Sequence, residues 1–279
     1  LGSDTGGSIR LPSALCGLTG FKPAFGAIPA DGVVPLSWSL DHAGPMCRTA
    51  TDAALLYAVL AGRPAAPFRG VRRLRLGVPR AFFYEDLAPP MQAAMDEALK
   101  RLASLTSGVE ETRLPELAAD PELGRMPALF LAIISAEAYA FHRGMLRQTP
   151  ELYSPGIRRS LENGAGIEAA DYIAARREME RQRASIAAHF GSADLLIVPA
   201  APGPAFPLGQ PPDLRYLRFC APWNFWGLPA LALPCGAAPE GLPLGMQIIG
   251  KPGREDQIFA LAEAWQSETS WHARRPAQP

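Results

Sequence analysis

The chain has 279 residues, 48% of them hydrophobic, enough for one large core or two modest ones. Its 27 basic and 27 acidic side chains cancel, so the charge balance argues against nucleic acid or an anionic membrane as a partner. The four cysteines stand far apart with no C-x-x-C pair, which argues against a zinc site or a dense disulfide scaffold and for buried thiols in a reducing compartment. No apolar run reaches the roughly 20 residues that a bilayer span needs. The four histidines, His42, His142, His189 and His272, are scattered singly, so no metal or other cofactor is expected. The expected compartment is the cytoplasm.

The first ten residues, Leu1 to Arg10, organise the rest. Two adjacent glycines, Gly6 and Gly7, directly precede Ser8. Glycine permits backbone conformations that a side chain would block, and consecutive N–H groups in such a loop can converge on an anion. A serine at the end of that loop, opening a short helix over residues 8–16, is placed like a nucleophile beside an oxyanion hole. Leu18 to Pro23 and Ala27 to Val34 read as extended or looped, and Ser37 to Pro45 as a polar and aromatic loop. Thr49 then caps a helix whose Ala53, Leu56, Tyr57, Leu60 and Ala61 recur at helical spacing, and Gly62 closes it.

A proline- and alanine-rich linker follows at residues 63–70. A strand at Leu74 to Pro79, an amphipathic helix at Pro89 to Leu105 and a strand at Val109 to Leu114 suggest a parallel crossover. Residues 115–190 form a helical, insertion-like region. Within it, Ala128 to Leu146 reads as a buried helix and Ile167 to Phe190 as a half-solvated one. Asp194 to Pro199 is a continuous apolar run that reads as a buried parallel strand. A proline-rich loop at Pro199 to Pro212 leads to further strands at Ala230 to Pro234 and Leu244 to Gly250. A final helix from Arg254 to about Glu268 carries Ile258, Leu261, Ala262 and Trp265 on one face.

Gly2-Ser3-Asp4-Thr5-Gly6-Gly7-Ser8-Ile9-Arg10 with Leu11 to Gly17 resembles the signature of the amidase signature family, which hydrolyses carboxamides with a serine–cis-serine–lysine triad. The likeness extends to Phe21-Lys22-Pro23, Leu40-Asp41 and Gly44-Pro45, and returns at Pro222-Trp223-Asn224, Gly227-Leu228-Pro229 and Gly245 to Gly250. It implies an α/β fold: a mixed, largely parallel sheet flanked by helices on both faces, in one domain over residues 1–279. Ser8 matches the nucleophile, and the backbone of Thr5, Gly6, Gly7 and Ser8 matches the oxyanion loop. The family's lysine and bridging serine lie upstream of this motif, so these 279 residues alone are expected to be inactive or nearly so. The expected substrate is a small-molecule amide, with a homodimer left open as the assembly. Two alternatives stand beside amide hydrolysis: a glutamine-hydrolysing amidotransferase subunit, and a non-catalytic remnant.

The remaining candidates have plainer readings beside the functional ones. Only three basic residues are lysines, Lys22, Lys100 and Lys251, and Lys22 reads as structural. Asp4 and Arg10 are expected to brace the loop, since a buried carboxylate needs a charged or N–H partner. Ser3 either joins the nucleophile's network or satisfies its own backbone. Arg158 either clamps a polar group of the substrate or sits in a surface salt bridge. Trp223, Phe225 and Trp226 either line a pocket or pack the core. Asp4-Thr5-Gly6 is also the D-T-G of aspartic proteases, but no second such loop occurs. The G-K-[ST] of a P-loop and the G-x-S-x-G of an α/β-hydrolase elbow are absent.

Overall fold

The structure is a computed structural model that describes residues 1–64, 70–114, 125–210 and 214–276. The linker at 63–70, the opening of the helical region and the end of the proline-rich loop fall partly outside these residues. In chain order the strands are β1 (Gly2–Asp4), β2 (Thr19–Lys22), β3 (His42–Gly44), β4 (Met46–Cys47), β5 (Arg75–Val78), β6 (Gly108–Glu111), β7 (Leu195–Pro199), β8 (Ala230–Ala237) and β9 (Pro243–Gly250). The helices used below are α1 (Arg10–Leu15), α2 (Ala50–Leu60), α3 (Pro89–Leu105), α4 (Arg125–Gln148), α5 (Pro155–Glu162), α6 (Ala169–Ser185), α7 (Ala221–Phe225) and α8 (Glu255–Glu268). No described helix is long and apolar enough to cross a membrane.

Seven strands form the main sheet in the order β4-β2-β8-β9-β7-β5-β6, and β1 pairs with β3 in a separate ribbon. β5 is parallel to both β6 and β7, and every other pair in the sheet is antiparallel. Following the pairings, β4, β8, β7, β5 and β6 point one way while β2 and β9 are reversed. The expected mixed, largely parallel sheet is therefore present, with one qualification. β7 is parallel only to β5 and antiparallel to β9 on its other edge.

The crossover from β5 through α3 to β6 follows the expected order. Proline at the start of α3 forfeits no internal bond, and Met91, Met95, Ala98, Leu99 and Leu102 fall on its buried face. Neighbouring side chains of a strand point to opposite faces, and β7 shows why its unbroken apolar run is needed. Leu195 and Ile197 enter a core shared with α2, α3 and α8, whereas Leu196 and Val198 enter one shared with α4 and α6. Both faces of the sheet are covered by helices, as the family likeness implied.

Five expectations are corrected. The first helix begins at Arg10, so Ser8 lies in the preceding turn. Ser37 to Pro45 is not all loop, because His42–Gly44 pairs with Gly2–Asp4. Strands of three residues are too short to show a period of two. On α2 only Ala50 and Ala53 are buried, while Leu55, Leu56 and Val59 face outward. α4 is amphipathic instead of buried throughout, since Leu131 and Phe141 are exposed and Phe130 and Ile133 are inside. The thiols also divide: Cys220 and Cys235 are buried, Cys47 is half-buried and Cys16 is exposed.

Candidate active site

Ser8 is exposed at the head of a turn whose base is buried: Asp4, Thr5, Gly6, Gly7, Ile9 and Arg10 are all inside. The turn is wound around the Asp4 carboxylate. Oδ1 accepts from the Gly7 amide at 2.8 Å, and Oδ2 accepts from the amides of Ile9 at 3.2 Å and Arg10 at 3.3 Å. Arg10 closes the arrangement with Nε to Oδ2 and Nη2 to Oδ1, both at 3.0 Å. Neither side chain is exposed. Burial alone would raise the Asp4 carboxyl, but the Arg10 guanidinium outweighs it and holds Asp4 well below the usual range. Asp4 and Arg10 thus form a buried ion pair at the base of the turn.

The Arg10 fork reaches across the fold. Nη1 donates to Oε1 of Gln247 on β9 at 3.0 Å, and Nη2 to Oδ1 of Asn224 on α7 at 2.5 Å. Asn224 Nδ2 returns two bonds to Asp4, to its carbonyl and to Oδ1, each at 2.8 Å. Gln247 Nε2 donates to the carbonyls of Pro199 and Phe219. The turn is therefore fixed to the sheet by polar side chains with no exposed surface. Asn224 and Gln247 were not singled out from sequence as site residues. Each is a polar residue in an apolar stretch, and that signal alone requires partners.

Gly7 has φ +130°, and a Cβ there would lie 2.6 Å from Cβ of Cys220. Only glycine fits both the backbone and the space. At Gly6 the neighbours are the Phe130 ring and Leu217. Thr5 is held from the other side, its hydroxyl donating to Asp41 Oδ1 at 2.5 Å.

The Gly7 N–H is taken by Asp4, because the carboxylate folds over the turn. Among the described residues no acceptor meets the amides of Gly6 or Ser8. Buried backbone donors are almost always paired, so the Gly6 amide, two residues before the exposed Ser8, stands out among the described residues. The Ser8 hydroxyl likewise meets no partner among the described residues.

The other candidates separate from this turn. Ser3 is exposed in β1 opposite Ala43. Arg158 donates to Glu162 at 2.7 Å on the surface of α5. It lines a cleft of about 420 Å³ with Tyr153, Pro155 and Glu162, a cleft that includes neither Ser8 nor Gly6. Trp223, Phe225 and Trp226 pack the core. Among the described residues no cluster of histidine, cysteine and carboxylate could hold a metal.

Lys22 is fully buried, with Nζ donating to the carbonyls of Leu228 at 2.7 Å and Pro23 at 3.0 Å. Burial, helped by the Arg10 cation, pushes its pKa well below 10.5. His42, close to Asn224, is also driven well below its ordinary value, first by burial and then by Lys22. The Lys22 shift fixes a sign. Between its folded pKa and 10.5 the unfolded chain holds the extra proton, so stability rises with pH across that window. Denaturant unfolding from neutral pH to about 8 should show this rise, below the range where the buried Cys220 and Cys235 thiols, pushed up to about 12, oppose it, and Lys22→Met should flatten it. Equal slopes in the two proteins would contradict a depressed Lys22.

A mixed α/β sheet carrying a carboxylate-braced Gly-Gly-Ser turn defines a protein of the amidase signature fold. The chain belongs to the amidase family, whose model matches residues 1–259. It is 36% identical to an amidase of Pseudomonas putida over 99% of its own length and 63% of that protein's. It is 34% identical to a glutamyl-tRNA(Gln) amidotransferase subunit of Chloroflexus aggregans, over 99% of its length and 64% of the relative's. A solved amidase structure superimposes with a TM-score of 0.87 at 33% identity, covering 96% of this chain and 62% of the other. The chain thus spans somewhat less than two thirds of the relatives it matches.

Proposed function

We propose that the full-length protein hydrolyses the C–N bond of a small carboxamide, with Ser8 as nucleophile. One observation carries this: among the described residues the exposed Ser8 hydroxyl has no partner and the buried Gly6 amide no acceptor, on a turn locked by Asp4 and Arg10. The Ser8 oxygen adds to the carbonyl carbon, and the amides of Gly6 and Ser8 take the oxyanion. Collapse expels the amine, which must gain a proton, and water then releases the acid from the acyl-serine. A single oxyanion donor is typically worth about 3 kcal/mol of transition-state stabilisation. The relay that moves the proton is, by family likeness, a serine and a lysine that precede this motif. Lys22 is a poor substitute, because two carbonyls already hold its amine.

A second reading rests on the relatives named as glutamyl-tRNA(Gln) amidotransferase subunits. In it the amide is glutamine, and the ammonia passes to a partner chain. One experiment separates the two: ammonia release by the full-length protein from simple carboxamides and from glutamine, alongside covalent labelling by a fluorophosphonate. Turnover of simple amides with the label on Ser8 supports the first reading. Turnover confined to glutamine supports the second. A protein neither labelled nor active on any amide would contradict both.

A further inference from the structure

A second buried carboxylate lies one step behind the site. Glu137, on α4, is 1% exposed. Its partners come from two directions. From α6 come Tyr172 Oη at 2.8 Å and Arg176 Nη1 at 3.1 Å. From the loop before β3 come Ser37 Oγ at 2.6 Å, the Ser39 amide at 3.1 Å, and Ser39 Oγ at 2.8 Å to Oε1 and 2.9 Å to Oε2. The same loop presents Asp41, whose Oδ2 accepts from the amides of Leu36 and Ser37, both at 2.9 Å. Asp41 Oδ1 in turn receives the Thr5 hydroxyl at 2.5 Å.

A continuous run of short bonds therefore leads from Glu137 through Ser37 to Asp41 and then to Thr5, with Ser39 as a second anchor of the same loop. Pinning α4 to α6 needs only Tyr172 and Arg176. The bonds from residues 37–39 have no part in that task; they fix the loop that aims Asp41. Thr5 stands next to Gly6, so the orientation of its backbone sets where the Gly6 amide points. The Asp4 carboxylate holds the far end of the turn at Gly7 and Ile9, and Asp41 holds the near end at Thr5. Arg183 on α6 adds a parallel tie, with Nη2 donating to the carbonyls of Ser39 at 2.9 Å and Asn224 at 3.0 Å.

We infer that Glu137 is a positioning residue for the reaction at Ser8: it sets the oxyanion turn through Ser37, Asp41 and Thr5, and so couples the helical region to the chemistry. This rests on Ser8 being the nucleophile. Glu137 touches neither the serine nor the turn, so its removal should lower kcat and leave KM nearly unchanged.

The test is a double-mutant cycle on the full-length protein with the best amide substrate. Glu137→Gln keeps the shape and removes the charge, and Thr5→Val cuts the last bond of the run. Each alone should lower kcat about tenfold with KM within about twofold, because small misplacements at a reacting centre are costly. If Glu137 acts through Thr5, the double variant should be no slower than the worse single, within about twofold. A Glu137 with a merely structural role would act independently, and the double variant would lose about a hundredfold, the product of the singles. That product, or an unchanged kcat in Glu137→Gln, would overturn the inference. Should Glu137→Gln fail to fold, Ser37→Ala, which cuts the first bond of the run, takes its place in the same cycle, with the same two outcomes. If Ser8→Ala retains turnover, the assignment of the nucleophile falls. If turnover needs Ser8 but ignores Glu137, only the positioning role falls.

Discussion

Ser8→Ala should lower kcat of the full-length protein by a factor on the order of 10³ to 10⁶, the range spanned when a catalytic serine is removed and binding and oxyanion donors remain. The same change should leave the fold intact. The Ser8 side chain is exposed and its hydroxyl bonds to nothing among the described residues, so no buried partner is orphaned. An exposed substitution of this kind shifts stability by no more than about 0.5 kcal/mol. Activity and stability therefore separate, and both are measurable in one preparation: amide turnover and denaturant midpoint. Retained turnover would show that another group attacks the carbonyl. A large fall in midpoint would show that the hydroxyl has a structural bond.

Arg10→Met should have the opposite signature. It leaves the Asp4 carboxylate buried without its counter-charge and removes the donors to Gln247 Oε1 and Asn224 Oδ1. Breaking a buried pair by removing one partner costs about 3–5 kcal/mol, far more than a surface pair. Arg10→Lys should recover little of this. An ammonium is a point charge, whereas the planar fork meets Asp4, Gln247 and Asn224 at once. Replacing both partners, as Asp4→Asn with Arg10→Met, should cost less than the sum of the singles, since no unpaired charge remains. Denaturant unfolding of the variants checks all of these. An Arg10→Met protein within about 1 kcal/mol of the wild type would mean that the pair is dispensable to the fold.

The order of elements and the Gly-Gly-Ser turn were legible in the chain alone. Periods of 3.6 and 2 depend only on local geometry, so α3, the last helix and the apolar run of β7 stood out. The doubled glycine before Ser8 also stood out, because few backbones demand two glycines in succession. The caps of α2 read correctly as well: the Thr49 hydroxyl accepts from the Asp52 amide, and Gly62 takes a positive φ.

What distant segments do for one another was not written locally. Residue pairs far apart in the sequence decide the site: Asp4 with Asn224, Arg10 with Gln247, Thr5 with Asp41, and Ser37 with Glu137. No spacing rule links such positions, because the sheet order β4-β2-β8-β9-β7-β5-β6 brings them together only after folding. The same holds for which glycine amide is free. The family likeness marked the backbone of Thr5, Gly6, Gly7 and Ser8 alike, and only the folded position of the Asp4 carboxylate shows that the Gly7 amide is already paired. Residue type determined what chemistry this chain can offer. Tertiary structure decided which groups are buried, which are paired and which remain for a substrate, because burial and pairing belong to the assembled core.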